Sequence, residues 1–307
     1  MMERLAAIVG PTAVGKTEVS VQVAKRLNGE IINGDSMQVY RGMDIGTAKV
    51  SQSEKQGVPH HLFDIKEPNE PFSASEFQEL AIPLVSEINE RGRLPIVVGG
   101  TGMYIKALTH HYNFAETNAN PSLRREMEQY AEENGKRALH EKLVSVDPES
   151  ARKIHPNNVR RVIRALEVYE TAGKPASEQR RRETKPRYRL ATVGLTMERD
   201  LLYERINRRV DHMVENGLFA EAQRLFDAGV QNCPSVQAIG YKEVYAYLRG
   251  ECSKEEAIEM LKKNSRRYAK KQYTWFRHQM DVQWFHVTKD GPREKIPAIL
   301  EFVAGTF

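Results

Sequence analysis

Short apolar runs alternate with amphipathic segments along the first hundred residues. Three of these runs have the length and composition of buried strands, at residues 5–9, 30–33 and 94–98, and another short candidate covers 60–65. Apolar positions three and four residues apart follow the first run and recur over 73–91. Strands that alternate with helices predict a mainly parallel sheet with helices on its faces.

The pattern changes after about residue 112, where the strand signals stop. Helical spacing predicts four helices in succession, at residues 123–133, 136–144, 148–154 and 159–171. Before them, Asn118-Ala119-Asn120-Pro121 has the composition of a linker. We therefore predict an α/β core in two stretches, 1–115 and 186–307, interrupted by an all-helical insertion at 116–185.

Strand signals return at residues 190–195 and 282–287, and two long helices are predicted between them, over 201–216 and 253–279. The second long helix carries aromatic residues among its basic ones, namely Tyr268, Tyr273, Trp275 and Phe276. Aromatic side chains in such a setting can stack on nucleic-acid bases. At helical spacing they more often belong to a core, and we assign them there.

The composition excludes several classes of protein. Cys233 and Cys252 are the only cysteines among 307 residues, which excludes a disulfide framework and a cysteine-rich zinc site and fits a reducing cytosol. No apolar run approaches the roughly 18 residues of a membrane span, and the first strand begins without a signal peptide before it. We expect a cytoplasmic protein without a membrane segment, and a monomer by default, because no interface signal stands out.

The positive charge is concentrated in two segments. The formal net charge is +5, yet residues 151–190 contain 12 Lys+Arg and 4 Asp+Glu, which is +8 and leaves −3 for the rest of the chain. Residues 258–280 add a second basic segment with 7 Lys+Arg and 1 Glu. A basic run is often only a solvated face. Clustering of this kind equally fits a surface that binds the phosphate backbone of a nucleic acid.

The strongest motif follows the first strand. It is G-x-x-x-x-G-K-T, formed by Gly10, Pro11, Thr12, Ala13, Val14, Gly15, Lys16 and Thr17. The strand before it and the helix after it are the context in which backbone N–H groups and a helix N-terminus cradle phosphate oxygens. Lys16 would supply a charge and the Thr17 hydroxyl a Mg²⁺ ligand. The motif predicts a bound di- or triphosphate and a P-loop NTPase-like core, but it does not identify the nucleotide or other donor.

Two further strand ends carry candidate chemistry. Asp35 follows the second strand, where ligands of an open α/β sheet bind, and we assign it as a general base toward an acceptor; a turn or N-cap role is the alternative. The strand at 94–98 ends in Gly99-Gly100-Thr101 rather than in the Asp that holds Mg²⁺ in many P-loop ATPases.

His60 and His61 are adjacent in the sequence and lack a third ligand nearby, so we favour a structural or substrate-edge role over a metal site.

Several longer motifs resemble the bacterial tRNA dimethylallyltransferases. They are G-P-T-A-x-G-K-T, G-D-S-M-Q-V-Y-R-G-M-D-I-G-T-A-K at 34–49, P-H-H-L at 59–62, V-G-G-T-G-M-Y at 98–104, I-H-P-N-N-x-x-R at 154–161, R-A-L-E-V-Y at 164–169 and I-G-Y-K-E at 239–243. The similarity runs nearly end to end, and the block at 34–49 is far more specific than the phosphate loop alone. The C-terminal zinc finger of eukaryotic relatives is absent from this sequence.

The resemblance implies an activity and a set of roles. The donor would be dimethylallyl diphosphate, and the acceptor N6 of adenine at position 37, next to the anticodon, in tRNAs that read codons beginning with U. Residues 10–17 and Arg209 would bind the diphosphate, with Thr17 holding Mg²⁺. The family's tRNA contacts fall on Asp35, Ser36, Met37, Gln38, Thr101, Arg124, Val159, Arg160, Arg161, Val162 and Ile163. The base would have to leave the anticodon loop to reach the diphosphate, which is base flipping.

Two other functions fit parts of the sequence. An ATP-dependent small-molecule or nucleoside kinase would explain the phosphate loop and Asp35 but leaves the basic insertion without a role. A non-catalytic RNA-binding switch protein would explain the basic segments but leaves Asp35 and the Gly-Gly-Thr strand end unexplained. Phosphate transfer from ATP would favour the first alternative, and tRNA binding without product under any donor would favour the second.

Overall fold

The computed structural model describes residues 2–112, 114, 120–179 and 185–307. The chain divides into two compact units, one formed by Met1–His110 with Pro186–Phe307 and the other by His111–Lys185. The division predicted from the sequence ran at 115/116 and 185/186. Two predicted features, the linker residues Asn118 and Ala119 and the basic run at 180–182, lie outside the described residues.

The first unit is built on a six-stranded parallel sheet. Its strands are β1 (Arg4–Val9), β2 (Gly29–Asn33), β3 (His60–His61), β4 (Leu94–Gly99), β5 (Arg189–Thr196) and β6 (Gln283–His286). They follow the order β3-β2-β4-β1-β5-β6, and every neighbouring pair is parallel. The predicted class, a parallel α/β sheet flanked by helices, is confirmed. Because all strands run the same way, the loops after β1, β2 and β4 meet at one edge.

Strand β1 lies at the centre of this sheet and is buried on both faces. Ile8 pairs with Val98 on one side and with Val193 on the other. Alternate side chains of β1 point to opposite faces: Ala6 and Ile8 belong to one apolar cluster, and Leu5, Ala7 and Val9 to the other. Such a strand has an unbroken apolar sequence, which explains why the run at residues 5–9 was easy to predict.

Helices cover both faces of the sheet. In chain order they are α1 (Lys16–Arg26), α2 (Gln52–Lys55), α3 (Ala74–Glu90) and α4 (Gly102–Thr109), followed after the second unit by α10 (Arg199–Glu215), α11 (Leu218–Asp227), α12 (Tyr241–Leu248), α13 (Lys254–Gln279) and α14 (Ile296–Thr306). Ser73 accepts a hydrogen bond from the Glu76 amide and caps α3, and Ser253 forms a capping box with Glu256 on α13. No described helix is both long enough and apolar enough to cross a bilayer.

The second unit is a helical bundle with its own core. Its helices are α5 (Pro121–Asn134), α6 (Lys136–Val146), α7 (Pro148–Lys153), α8 (Val159–Ala172) and α9 (Ala176–Gln179). Leu139, Leu143, Val162 and Leu166 are at most 3% exposed in the apolar cluster between them. Asp147 accepts hydrogen bonds from the Ser150 amide at the start of α7 and from the Ser177 amide on α9. The four helices predicted here are present: α5, α6 and α8 are slightly longer than predicted, and α7 ends one residue earlier.

The third strand is much shorter than predicted. Strand pairing stops after His61, because Leu62 and Asp64 adopt positive φ angles of 62° and 54° that no strand accommodates. His61 Nε2 lies 2.6 Å from Oε2 of the buried Glu30, and His60 Nδ1 lies 2.8 Å from the Val58 carbonyl oxygen. Across the described ranges no group of three or more His, Cys, Asp and Glu is arranged to hold a metal ion.

Candidate functional site

The phosphate loop connects β1 to α1 through backbone conformations that require glycine at two positions. Gly10 has φ 145°, and a Cβ there would lie 2.6 Å from the Leu195 carbonyl oxygen. Gly15 has φ 105° and lies under the Pro292 ring, 3.1 Å from where a Cβ would be. Both values lie in the region that L side chains avoid. The loop therefore wraps tightly around the N-terminus of α1, which begins at Lys16.

Lys16 is folded back onto the loop. Its Nζ donates hydrogen bonds to the carbonyl oxygens of Pro11, at 2.7 Å, and of Gly10, at 3.1 Å. Burial lowers the pKa of Lys16 to about 7, the charge of Arg209 acts in the same direction, and Asp35 opposes them. Burial also lowers the pKa of Arg209, on α10, with Asp35 again opposing. The three groups are thus close enough to influence one another.

Asp35 sits in a turn directly after β2. Its Oδ1 accepts a hydrogen bond from the Met37 amide at 2.9 Å, and its own amide donates to Asn33 Oδ1 at 2.9 Å. Asp35 therefore does stabilise a turn, which was the alternative role considered for it, but this uses only one of its two carboxylate oxygens. Oδ2 has no hydrogen-bond partner in the described part of the chain, so it remains able to accept a proton or a donor.

The Gly-Gly-Thr end of β4 packs against the segment that follows β2 and against α13. A Cβ on Gly99 would lie 2.1 Å from the Gly34 carbonyl oxygen, and one on Gly100 would lie 2.0 Å from Gln272 Nε2. Gly99 lets the ends of β2 and β4 approach each other, and Gly100 leaves room for the Gln272 amide of α13. Thr101 Oγ1 accepts from the Ser36 amide at 3.0 Å, so Thr101 supports the turn that carries Asp35.

These strand ends open on one cavity of about 1400 Å³. Of the residues predicted for the donor and the acceptor, those that line it are Thr12, Ala13, Gly15, Lys16, Thr17, Asp35, Ser36, Met37, Gln38 and Arg209. Gly10, Pro11 and Val14 are buried residues of the loop and do not line the cavity. Thr101 does not line it either, but it accepts the hydrogen bond from the Ser36 amide. The cavity therefore brings the phosphate loop and the candidate base into one space.

Two cavity residues of helix α13, Gln272 and Tyr268, were not assigned to the site from the sequence. Gln272 Oε1 accepts from the Thr12 amide at 2.9 Å, and Gln272 Nε2 donates to the Gly100 carbonyl at 3.1 Å, which ties the phosphate loop to the end of β4. Tyr268 was assigned to the core, and this was wrong, because it lines the cavity. Burial and the charge of Asp35 raise the pKa of Tyr268 to about 12. A polar Gln one turn after Tyr268 was the only local signal.

The remaining aromatic residues of α13 do belong to packed regions. Phe276 is fully buried, Trp275 packs against the apolar cluster under β4 and α4, and Tyr273 meets Trp284 edge to face at 5.2 Å. A Cβ on Gly102 would lie 2.1 Å from the Trp275 ring, which explains a glycine at the first position of α4.

The candidate tRNA residues of the helical unit differ in exposure. Arg160 and Arg161 are exposed on α8, and Val159 is half-buried. Val162 and Ile163 are 0% and 3% exposed, so their side chains pack in the unit's core and are not available to an RNA in this conformation. Arg124 donates from Nε and Nη2 to the buried Glu167, at 2.8 and 2.9 Å. Whether any of these residues contacts tRNA stays a prediction.

Comparison with known proteins identifies the family. The family model described as IPP transferase matches residues 38–279. The chain belongs to the IPP transferase family. A curated tRNA dimethylallyltransferase from Halalkalibacterium halodurans is 59% identical over 99% of this chain and 98% of its own length. The resemblance stated from the motifs is thereby confirmed.

Solved structures of IPP transferases have the same fold. The tRNA isopentenylpyrophosphate transferase from Bacillus halodurans aligns with a TM-score of 0.76 at 57% identity, covering 99% of this chain and 96% of that one. A eukaryotic dimethylallyltransferase acting on tRNA aligns with a TM-score of 0.82 at 28% identity, covering 99% and 80%. Neither the family nor these relatives supports the kinase alternative.

Proposed function

We propose that the protein transfers the dimethylallyl group of dimethylallyl diphosphate to N6 of the adenine 3′-adjacent to the anticodon, in tRNAs that read codons beginning with U. The observation that carries the proposal is that Lys16 and Thr17 of the phosphate loop line the same cavity as Asp35 and Gln38. A diphosphate held at one wall and a base presented at another would meet within it. Family membership and the high identity to tRNA dimethylallyltransferases support this assignment.

The donor side stabilises the leaving group. The amides at the start of α1, Lys16 and Arg209 would surround the diphosphate oxygens, where negative charge grows as the allylic C1–O bond breaks. Its bonding electrons leave with the diphosphate, and the positive charge spreads over the dimethylallyl group. Thr17 is exposed and lines the cavity, so its hydroxyl would be the protein's ligand to a Mg²⁺ ion bound with the diphosphate. Such an ion would neutralise part of the leaving-group charge.

The acceptor side supplies the base. N6 of adenine attacks C1, and the proton that N6 loses goes to Asp35, whose Oδ2 remains available for it. The hydrogen bond that the Met37 amide donates to Asp35 Oδ1 holds the carboxylate in place while this occurs. The phosphate loop and Arg209 therefore bind the departing diphosphate at one wall of the cavity. Asp35 accepts the proton at the other.

The tRNA partner is supported by charge and by the relatives. Residues 151–190 carry a net +8, and Arg160 and Arg161 are exposed within this segment. Contacts from such residues fall mainly on phosphates and position the RNA. We further propose that the enzyme works as a monomer in the cytoplasm, as expected from its composition.

A donor test distinguishes the proposal from the kinase alternative. The protein is incubated with an anticodon stem-loop, Mg²⁺ and either dimethylallyl diphosphate or ATP, and the RNA is weighed. We expect a gain of one five-carbon unit with the first donor only. Asp35→Asn keeps an oxygen for the Met37 amide but removes the base, and we expect it to lower kcat about 10²–10⁴-fold with donor affinity retained.

Asp290→Asn is the matched control, because Asp290 lines the same cavity near the phosphate loop and has no assigned role in proton transfer. It should retain most of the activity. Phosphate transfer from ATP without any prenyl product would overturn the proposal. Equal losses in both variants would instead show that cavity charge, rather than a base at Asp35, governs the rate.

A further inference from the structure

The loop at 44–46 is held by a buried carboxylate from α11. Glu221 is 2% exposed. Its Oε2 accepts from the amides of Asp44 and Ile45, both at 2.9 Å, and its Oε1 accepts from the Gly46 amide at 3.0 Å. Three consecutive amides on one carboxylate are charge-assisted hydrogen bonds of the strong kind. The loop therefore takes its shape from α11, although 175 residues separate it from Glu221.

Tyr241 completes this anchor from a second helix. Its hydroxyl donates to Glu221 Oε1 at 2.6 Å. Its ring lies so close to Gly46 that a Cβ there would be 2.6 Å from Cε2 and Cζ. Glycine at residue 46 and tyrosine at 241 are thus parts of one contact, which gives a shared physical reason for the motifs around 46 and 241.

The anchored loop in turn orients Gln38. Gln38 Nε2 donates to the carbonyl oxygens of Thr47, at 3.1 Å, and of Ala48, at 3.2 Å. Only the NH₂ end of an amide can face two carbonyl oxygens, so these contacts assign the amide's orientation. Oε1 is left as an acceptor with no partner among the described residues, and Gln38 lines the cavity beside Asp35.

We propose that Glu221 is a positioning residue for acceptor selection, because through the loop it holds the Gln38 amide with Oε1 free to accept a hydrogen bond from the base. The exocyclic amine of adenine has two hydrogens, one for Gln38 Oε1 and one that Asp35 removes. In a base with a carbonyl oxygen at that position, this oxygen and Gln38 Oε1 would both be acceptors and would repel each other. The proposal rests on the proposed function, since it takes adenine as the acceptor.

Glu221→Gln tests this step with almost no change in shape. The new NH₂ group is a donor and would face a backbone amide that is also a donor. The loop at 44–46 therefore loses part of the hydrogen bonding that holds its shape. We measure binding of stem-loops that carry adenine or hypoxanthine next to the anticodon. In the wild type we expect about tenfold tighter binding of the adenine loop, as one hydrogen bond and one avoided repulsion would give. The variant should reduce this ratio to about twofold, with the donor KM unchanged.

Three further variants keep the test decisive. Tyr241→Phe, which retains the ring, should shift the ratio in the same direction by less. Gln38→Leu should abolish the preference, and adding Glu221→Gln to it should change nothing more. Glu30→Gln alters another buried carboxylate, which pairs with Arg91 and Arg93 and does not line the cavity, so it should cost stability and leave the ratio intact.

The outcomes separate this inference from the proposed function. A folded Glu221→Gln protein with the wild-type binding ratio would overturn the positioning role while prenyl transfer stands. Wild-type protein that transfers no prenyl group would overturn the function itself. If Glu221→Gln fails to fold, the Tyr241→Phe ratio decides, because that variant removes only one hydroxyl group; an unchanged ratio there would count against the role.

Discussion

The amine of Lys16 can bind either the carbonyl oxygens of its own loop or the diphosphate of a donor, and the two compete for it. In the structure its Nζ donates to the carbonyls of Gly10 and Pro11, and burial lowers its pKa to about 7. A bound diphosphate would stabilise the ammonium form of Lys16, because its two negatively charged phosphate groups attract the positive charge. Binding of the donor should therefore raise the pKa of Lys16 and draw a proton from solution.

We expect this proton uptake to be measurable by calorimetry. At pH 8 the free amine is mostly neutral, so binding of dimethylallyl diphosphate should take up nearly one proton, and affinity should fall as pH rises above about 7. Titrations in Hepes and in Tris, which differ in ionisation enthalpy, report the number of protons. Lys16→Arg is the control, because a guanidinium is always charged and takes up none. Equal uptake by both proteins would exclude Lys16 as its source.

Among the helices, α13 links parts of the site that are far apart in sequence. Gln272 bonds both the Thr12 amide and the Gly100 carbonyl. Gln272→Leu would leave the buried Gly100 carbonyl and the part-buried Thr12 amide unpaired. We therefore expect about 1–3 kcal/mol lower stability toward urea and about tenfold weaker donor binding. Gln223→Leu, on the exposed face of α11, should change neither. Wild-type donor affinity in Gln272→Leu would mean that the loop keeps its shape without this link.

Helix α8 is fixed to α5 by a buried carboxylate. Burial alone would raise the pKa of Glu167, but hydrogen bonds from Arg124, from the Asn120 amide and from Arg164 outweigh it and lower the pKa to about 2. A lowered carboxylate pKa contributes stability that is complete above about pH 4.5 and is lost as pH falls through about 2.

The expected size of this contribution is about 2–3 kcal/mol. Hydrogen exchange of α8 amides at pH 5 and pH 3 should show it as faster opening at the lower pH. In Glu167→Gln the exchange should be fast at both values once the intrinsic pH effect is subtracted. Glu128→Gln, an exposed position on α5, should behave as wild type; a similar loss there would point to a general charge effect.

The sequence revealed the local elements of the site but not the contacts between them. The phosphate loop, Asp35 and the sheet class follow from apolar runs and short motifs, which are local properties. Gln272 and Glu221 act on backbone 260 and 175 residues away, and no local pattern indicates such a partner. Tyr268 illustrates the limit: helical spacing correctly predicted its helix, but could not tell the core from a cavity wall.

At the scale of the whole molecule, charge is the property that the fold does not explain. A chain with net charge +5 concentrates +8 within residues 151–190. If that segment meets tRNA phosphates, raising the salt concentration from about 50 to about 200 mM should weaken tRNA binding at least tenfold. A flat salt response would contradict the assignment.

A charge-matched pair of variants localises the effect. Replacing Arg160 and Arg161 by alanine should reduce the slope of log K against log salt by about two, as two lost phosphate contacts require. Replacing Lys25 and Arg26, which are exposed at the end of α1, removes the same charge elsewhere. The second variant should keep the wild-type slope.

The division of the sheet between two stretches of sequence has a consequence for biosynthesis. When the ribosome has produced β1 to β4, the central strand β1 has its partner on one side only. Strand β5 follows about 90 residues later, after α4 and the helical unit. At about 5–20 residues per second, the largely apolar edge of β1 stays unpaired for roughly 4–18 s. The nascent chain should therefore be most prone to aggregation, and most dependent on chaperones, while it is about 100 to 195 residues long.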